Sequence, residues 1–172
     1  MNAKEFFTEL ITAQKRGDPC GIYSICSAHP RVVSAAMFQA REDNLPFLIE
    51  STVNQVNQFG GYTGMNPAAF RDFIVEAAGR VGFPTQQIVL GGDHLGPYPW
   101  RKESAEKAMA NACELVATCA QAGYTKIHLD ASMPLGGDPL NKKGGLDAEL
   151  IARREARLAA TAETAYRKSA SA

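Results

Sequence analysis

The sequence predicts an α/β fold with a parallel sheet, of the (β/α)8 TIM-barrel type, in which only about four βα units are present. Three observations lead there. Four apolar, β-branched-rich runs, Gly21–Cys26, Phe47–Ser51, Ile88–Gly92 and Lys126–Asp130, are each followed by a turn and a stretch of helical period. Strands alternating with helices imply parallel pairing, and runs without strict alternation suit strands covered on both faces. The first run ends in Ser27-Ala28-His29-Pro30, which is not the glycine-rich phosphate turn of an open doubly wound sheet. Polar side chains instead stand at the C-terminal end of each run, where a barrel gathers its reactive groups.

Each element has its own signal. Residues 3–16 read as an amphipathic helix ahead of the first strand. Pro30, with φ already set for a first helical position, opens a helix to about Arg41. Asn66-Pro67 opens another to about Val81. Ser104 caps a helix whose face is traced by Ala105, Ala108, Met109, Ala112, Leu115, Val116 and Cys119, and Gly123 ends it. The last helix runs from about Asp147 to Arg167, with Leu150, Ile151, Leu158 and Ala162 against many charges.

A chain of 172 residues suffices for a single domain, 1–172, with a sizeable core. A complete barrel needs eight units and about 250 residues. Four strands leave two open edges, so the expectation is a truncated barrel, the alternative being a sheet closed by a partner. Hydrophobic residues make up 45% and charged residues 21%, with a formal net charge of zero. No basic stripe suggests nucleic acid, and no apolar run approaches a membrane span. Charges in the first residues are unlike a secretory signal, and a cytoplasmic protein is expected. Cys20, Cys26, Cys113 and Cys119 lack zinc-type spacing and read as buried free thiols.

Asp93-His94, after Gly91-Gly92, is the sharpest candidate site. Histidine ligates metals and a neighbouring carboxylate moves protons or orients the ring; the bland alternative is a solvated Asp beside a packed histidine. The two glycines would let a substrate or another backbone come close. Glu50, closing an apolar strand, must be paired, hydrated or functional. Asn54, Gln55 and Asn57, with the loop Phe59–Gly64, suit hydroxylated ligands or cap a mobile connection. His128 and Asp130 share one side of a strand, with Asp130 and nearby Ser132 at its end and His128 either functional or packed. Lys142-Lys143 is a phosphate contact or solvated surface. Trp100 anchors the loop after the third strand.

Four stretches, Cys26-Ser27-Ala28-His29-Pro30, Asn54–Met65, Gly91-Gly92-Asp93-His94-Leu95-Gly96-Pro97 and Lys126–Met133, resemble the Z-type subunit of class II D-tagatose-1,6-bisphosphate aldolase over about residues 10 to 165. The resemblance implies a (β/α)8 fold and an accessory, non-catalytic role in tagatose, galactitol and N-acetylgalactosamine breakdown, stabilising a separate catalytic aldolase subunit. Asp93-His94 also looks like the Asp-His pair of catalytic class II aldolases. That likeness implies an acid/base at Asp93 and a zinc ligand at His94. Glu50, Asn54, Gln55, Asp130 and Ser132, at or just after the strand ends, are the substrate contacts expected from their position. No histidine follows His128, so the family's further metal histidines are missing here. Self-association and a sugar-phosphate ligand are the remaining partners expected. The alternative is a metal-dependent aldolase or epimerase acting on a sugar phosphate directly.

Overall fold

In the computed structural model, which describes residues 3–170, nine principal elements follow one another. They are α1 (Ala3–Lys15), β1 (Ser24–Cys26), α2 (Pro30–Glu42), β2 (Phe47–Thr52), α3 (Pro67–Val81), β3 (Ile88–Leu95), α4 (Ala105–Gln121), β4 (Lys126–Leu129) and α5 (Ala148–Ala170). Short 3₁₀ turns lie between β2 and α3 and on either side of β3. The boundaries follow local chemistry. Pro30 stands in the first turn of α2, where its missing N–H leaves no bond unmade. The Asn66 side chain accepts from the Ala69 N–H at 2.9 Å, and Gly82 ends α3 at φ 67°, a conformation that spares glycine the Cβ clash. Ser104 caps α4 in the same manner through the Lys107 N–H.

The four strands are parallel and lie in the order β1-β2-β3-β4, so consecutive strands are neighbours and β1 and β4 are the edges. The first strand is shorter than expected, three residues instead of six, because residues 21–23 make no ladder pairing with β2.

Alternation along each strand divides the sheet into two faces. Ile25, Phe47, Ile49, Ile88, Leu90, Ile127 and Leu129 meet the helices in one apolar core with Met37, Phe70, Ile74, Leu115 and Leu158. The alternate residues, Ser24, Cys26, Leu48, Glu50, Val89, Gly91, Asp93, Lys126 and His128, face away from it. On this second face the central strands are buried and the edge strands exposed, so the expectation of cover on both faces is met only in the middle. Edge strands lack a neighbour on one side, which is why Ser24, Cys26 and His128 reach solvent. The expectation of buried thiols needs a parallel correction. Cys119 is buried and Cys113 half-buried, but Cys20 and Cys26 are exposed, Cys26 because it ends an edge strand on the open face. No helix among the described residues is long and apolar enough to cross a membrane.

Candidate functional site

The open face of the sheet is built in rows. The register aligns Cys26 with Glu50, Glu50 with Gly91, and Gly91 with Lys126, so these four stand side by side. Glu50 is 5% exposed, and its carboxylate is claimed by Ser24 Oγ on one side and Lys126 Nζ on the other. A buried carboxylate requires such partners. Gly91 makes room for it, since a Cβ there would lie 3.0 Å from Glu50 Cγ and Oε1. The glycine pair therefore admits neighbouring side chains of the chain itself: Gly91 accommodates Glu50, and a Cβ at Gly92 would fall 2.4 Å from Leu95 Cδ1.

One row higher, the ladder breaks. Between Gly92 and Leu95 the β3–β4 register shifts, and His94 takes φ 51°. In an unbroken strand Asp93 and His94 would point to opposite faces. The irregularity returns Leu95 to the core, 1% exposed, and leaves Asp93 and His94 together on the open side. His128 joins them from β4. Asp93 Oδ1 accepts from His128 Nδ1 at 2.9 Å and from His94 Nδ1 at 3.0 Å, with the two ring centroids 4.3 Å apart. His128 is thus a polar, solvent-reaching residue and not a packed one, its side chain 45% exposed.

Burial works against the Asp93 carboxylate, but the His128 hydrogen bond and the charge and hydrogen bond of His94 hold its pKa below the ordinary value. Asp130 behaves alike. Burial opposes ionisation there too, and the Ser132 hydroxyl and N–H, at 2.6 and 2.9 Å, prevail and lower its pKa. Although Cys26 reaches solvent, partial burial of its thiol and the Asp93 and Glu50 charges push its pKa up, which disfavours the thiolate. Among the described residues, Asp93, His94 and His128 form a group whose ligand-capable atoms all lie within 4.8 Å of one another. Two imidazoles and a carboxylate suit a borderline divalent ion such as zinc.

The amide-rich segment after β2 is built differently from a ligand-binding surface. Gln55 is buried, and its Oε1 accepts from the Thr52 N–H at 2.8 Å. Asn57 is buried too, donating to the Val53 carbonyl and accepting from the Phe59 and Gly61 N–H groups. Asn54 is exposed, and its backbone carbonyl accepts from the Tyr62 N–H. The Asn57 amide and the backbone carbonyls of Asn54 and Gln55 hold the Phe59–Gly64 turn, and Phe59 rests edge-on against Trp100 at 6.1 Å, tying that turn to the loop after β3. His29 occupies the N-cap position of α2 without a side-chain hydrogen bond to the helix, and is not part of the Asp93, His94 and His128 group. Lys142 and Lys143 lie in an exposed turn. Asp138 in the same loop is clamped by Arg154 of α5 at 2.5 and 2.8 Å.

Two features escape sequence reading. Lys126 as the partner of Glu50 was signalled only by a cation inside an apolar run, and the His94–His128 contact depends on a register shift that no local pattern announces. The comparison that places this site in context is a family model, described as D-tagatose-1,6-bisphosphate aldolase subunit GatZ/KbaZ-like, which matches residues 7–172. The chain belongs to the GatZ/KbaZ-like family. Among GatZ/KbaZ relatives, the D-tagatose-1,6-bisphosphate aldolase subunit GatZ of Escherichia coli (strain SMS-3-5 / SECEC) is 51% identical over 155 residues, 90% of this chain and 36% of that protein. GatZ of Klebsiella pneumoniae subsp. pneumoniae shows the same identity and coverage. The chain therefore spans about 36% of the length of these curated relatives. A crystal structure described as that of a probable tagatose 6 phosphate kinase from Sinorhizobium meliloti 1021 superposes with a TM-score of 0.80 at 52% identity, covering 85% of this chain and 37% of that one.

Proposed function

We propose that this GatZ/KbaZ-like chain acts as an accessory, non-catalytic subunit of a class II tagatose-1,6-bisphosphate aldolase, binding and stabilising the subunit that cleaves the sugar bisphosphate. The observation that carries this reading is the family match over residues 7–172, nearly the whole chain. Its four parallel βα units are half of a (β/α)8 barrel in this reading, with β1 and β4 as the edges at which the remaining units join.

The carboxylates of the site are engaged by partners within the chain, as suits a supporting role. Glu50 is held by Lys126 and Ser24, and Asp130 by Ser132. Asp93 already accepts two hydrogen bonds from imidazoles. A kinase, as the solved relative is described, would hold a nucleotide. The turn after β1 offers Ser27-Ala28-His29-Pro30 to a phosphate, with no glycine to bring its backbone close.

The test is co-purification of the tagged chain with the catalytic aldolase subunit, together with the thermal half-life of that subunit's activity. Binding and a lengthened half-life are expected. Failure of both, or cleavage of tagatose 1,6-bisphosphate by this chain without a partner, or ATP-dependent phosphorylation of tagatose 6-phosphate, would overturn it.

A further inference from the structure

We infer that His94 and His128 together form a divalent-cation site, with Asp93 as the carboxylate that orients both rings. The inference stands apart from the aldolase-subunit reading, because it concerns what the isolated chain binds. It differs from the family resemblance in two respects. It adds His128 as a ligand, and it makes Asp93 a positioning residue in place of an acid/base.

The argument begins with tautomers. A carboxylate oxygen only accepts hydrogen bonds, so both imidazoles that meet Asp93 Oδ1 through Nδ1 must donate from that atom. A neutral ring protonated at Nδ1 carries its lone pair on Nε2. Among the described residues no hydrogen-bond partner occupies either Nε2. Histidine ligands are commonly prepared in this way, one nitrogen donating to a carboxylate while the other binds the metal.

Placement agrees with the tautomers. The rings stand 4.3 Å apart between centroids and are tilted by 56°, so they share one small volume above Asp93. The arrangement is also maintained against a backbone penalty. His94 holds φ 51°, a left-handed conformation unfavourable for a residue with a Cβ, and the register shift between Gly92 and Leu95 keeps it there. With side-chain exposures of 57% and 45%, the two imidazoles leave the other coordination positions open to water or a ligand oxygen.

The experiment uses the full 172-residue chain, stripped with chelator and titrated calorimetrically with zinc, and with cobalt(II) followed by visible absorption. One equivalent is expected, with His94→Ala and His128→Ala each weakening binding by roughly 100-fold or more and Asp93→Asn by about 10- to 100-fold. His29→Ala, which removes the remaining histidine, is expected to bind as the parent does. Nitrogen-15 spectra of the histidine side chains provide a reading that needs no variant. Metal-free protein should show both rings protonated at Nδ1, and zinc should shift both Nε2 resonances. No uptake by the parent chain, unchanged affinity in a folded His128→Ala variant, or a His128 Nε2 resonance that zinc does not move would each overturn the inference.

Discussion

Asp93 and His128 are 35 residues apart in sequence, and Asp93 Oδ1 accepts from His128 Nδ1 at 2.9 Å. The bond crosses from β3 to β4 just where the ladder between them slips. The register of Gly91 with Lys126 and Gly92 with Ile127, carried one residue further, sets these two side chains opposite each other, and the slip beyond Gly92 brings His94 to the same oxygen. Whatever disturbs the packing of these two strand ends should be felt at the imidazole pair.

Gly96 gives a direct test of that dependence. A Cβ at this position would lie 1.8 Å from the Asp130 carbonyl oxygen, a backbone atom that cannot turn aside. Gly96→Ala must push the end of β3 away from β4, at an expected loss of about 2–3 kcal/mol, as for overpacking in a tight site. Urea unfolding measures the loss, and the His128 ring resonances should move with it. An unfolding midpoint and ring shifts equal to the parent's would refute the coupling.

Lys126→Met leaves the buried Glu50 carboxylate without its cation. Breaking a fully buried pair costs about 3–5 kcal/mol, but the Lys126 side chain is 32% exposed and water can partly replace it, so about 2 kcal/mol is expected. Lys126→Met combined with Glu50→Gln should recover part of the loss, because the amide has no charge to neutralise. Equilibrium denaturation of the three proteins decides; a double variant weaker than the single one contradicts the pairing.

Asp138 makes stability depend on pH in a defined direction. The Arg154 hydrogen bonds lower its pKa against the opposing effect of burial. A carboxylate depressed on folding contributes stability above its unfolded pKa, and that contribution disappears as pH falls through the folded value. Both side chains are nearly buried, 9% and 4% exposed, so Arg154→Ala should cost about 3 kcal/mol at neutral pH. The gap between variant and parent should narrow below about pH 4. Thermal unfolding from pH 7 to pH 3 reads it, and a constant gap would rule the ion pair out as its source.

Asn66→Ala removes the acceptor for the Ala69 N–H at the start of α3. About 1 kcal/mol is expected, the usual value of such a cap, with Asn66→Asp retaining most of it. Circular dichroism melting curves suffice. An alanine variant as stable as the parent would mean that solvent satisfies that N–H equally well.

Much of the fold was legible because its signals are local. Pro30, Asn66, Ser104 and Gly123 act within one helical turn of themselves, and the period of Ala108, Met109, Ala112, Leu115 and Val116 needs no partner to be seen. The expected starts of α2, α3 and α4 accordingly match the structure. The length of the first strand and the exposure of Cys26 are not legible in the sequence for the opposite reason. Ladder length and burial at β1 depend on how far β2 extends alongside it and on the absence of a strand beyond it among the described residues.

The sequence by itself determined the alternation of strands and helices, the helix ends, and that Asp93, His94, His128 and Asp130 stand near strand C-termini. Tertiary structure alone decided their partners. Glu50 is neutralised by Lys126 because parallel register places Gly91, with no side chain, between them. His94 shares a face with Asp93 because the β3–β4 ladder slips after Gly92. Propensity and periodicity are written within a few residues of sequence, whereas register is settled by the sum of contacts between strands, and it is register that assembles this site.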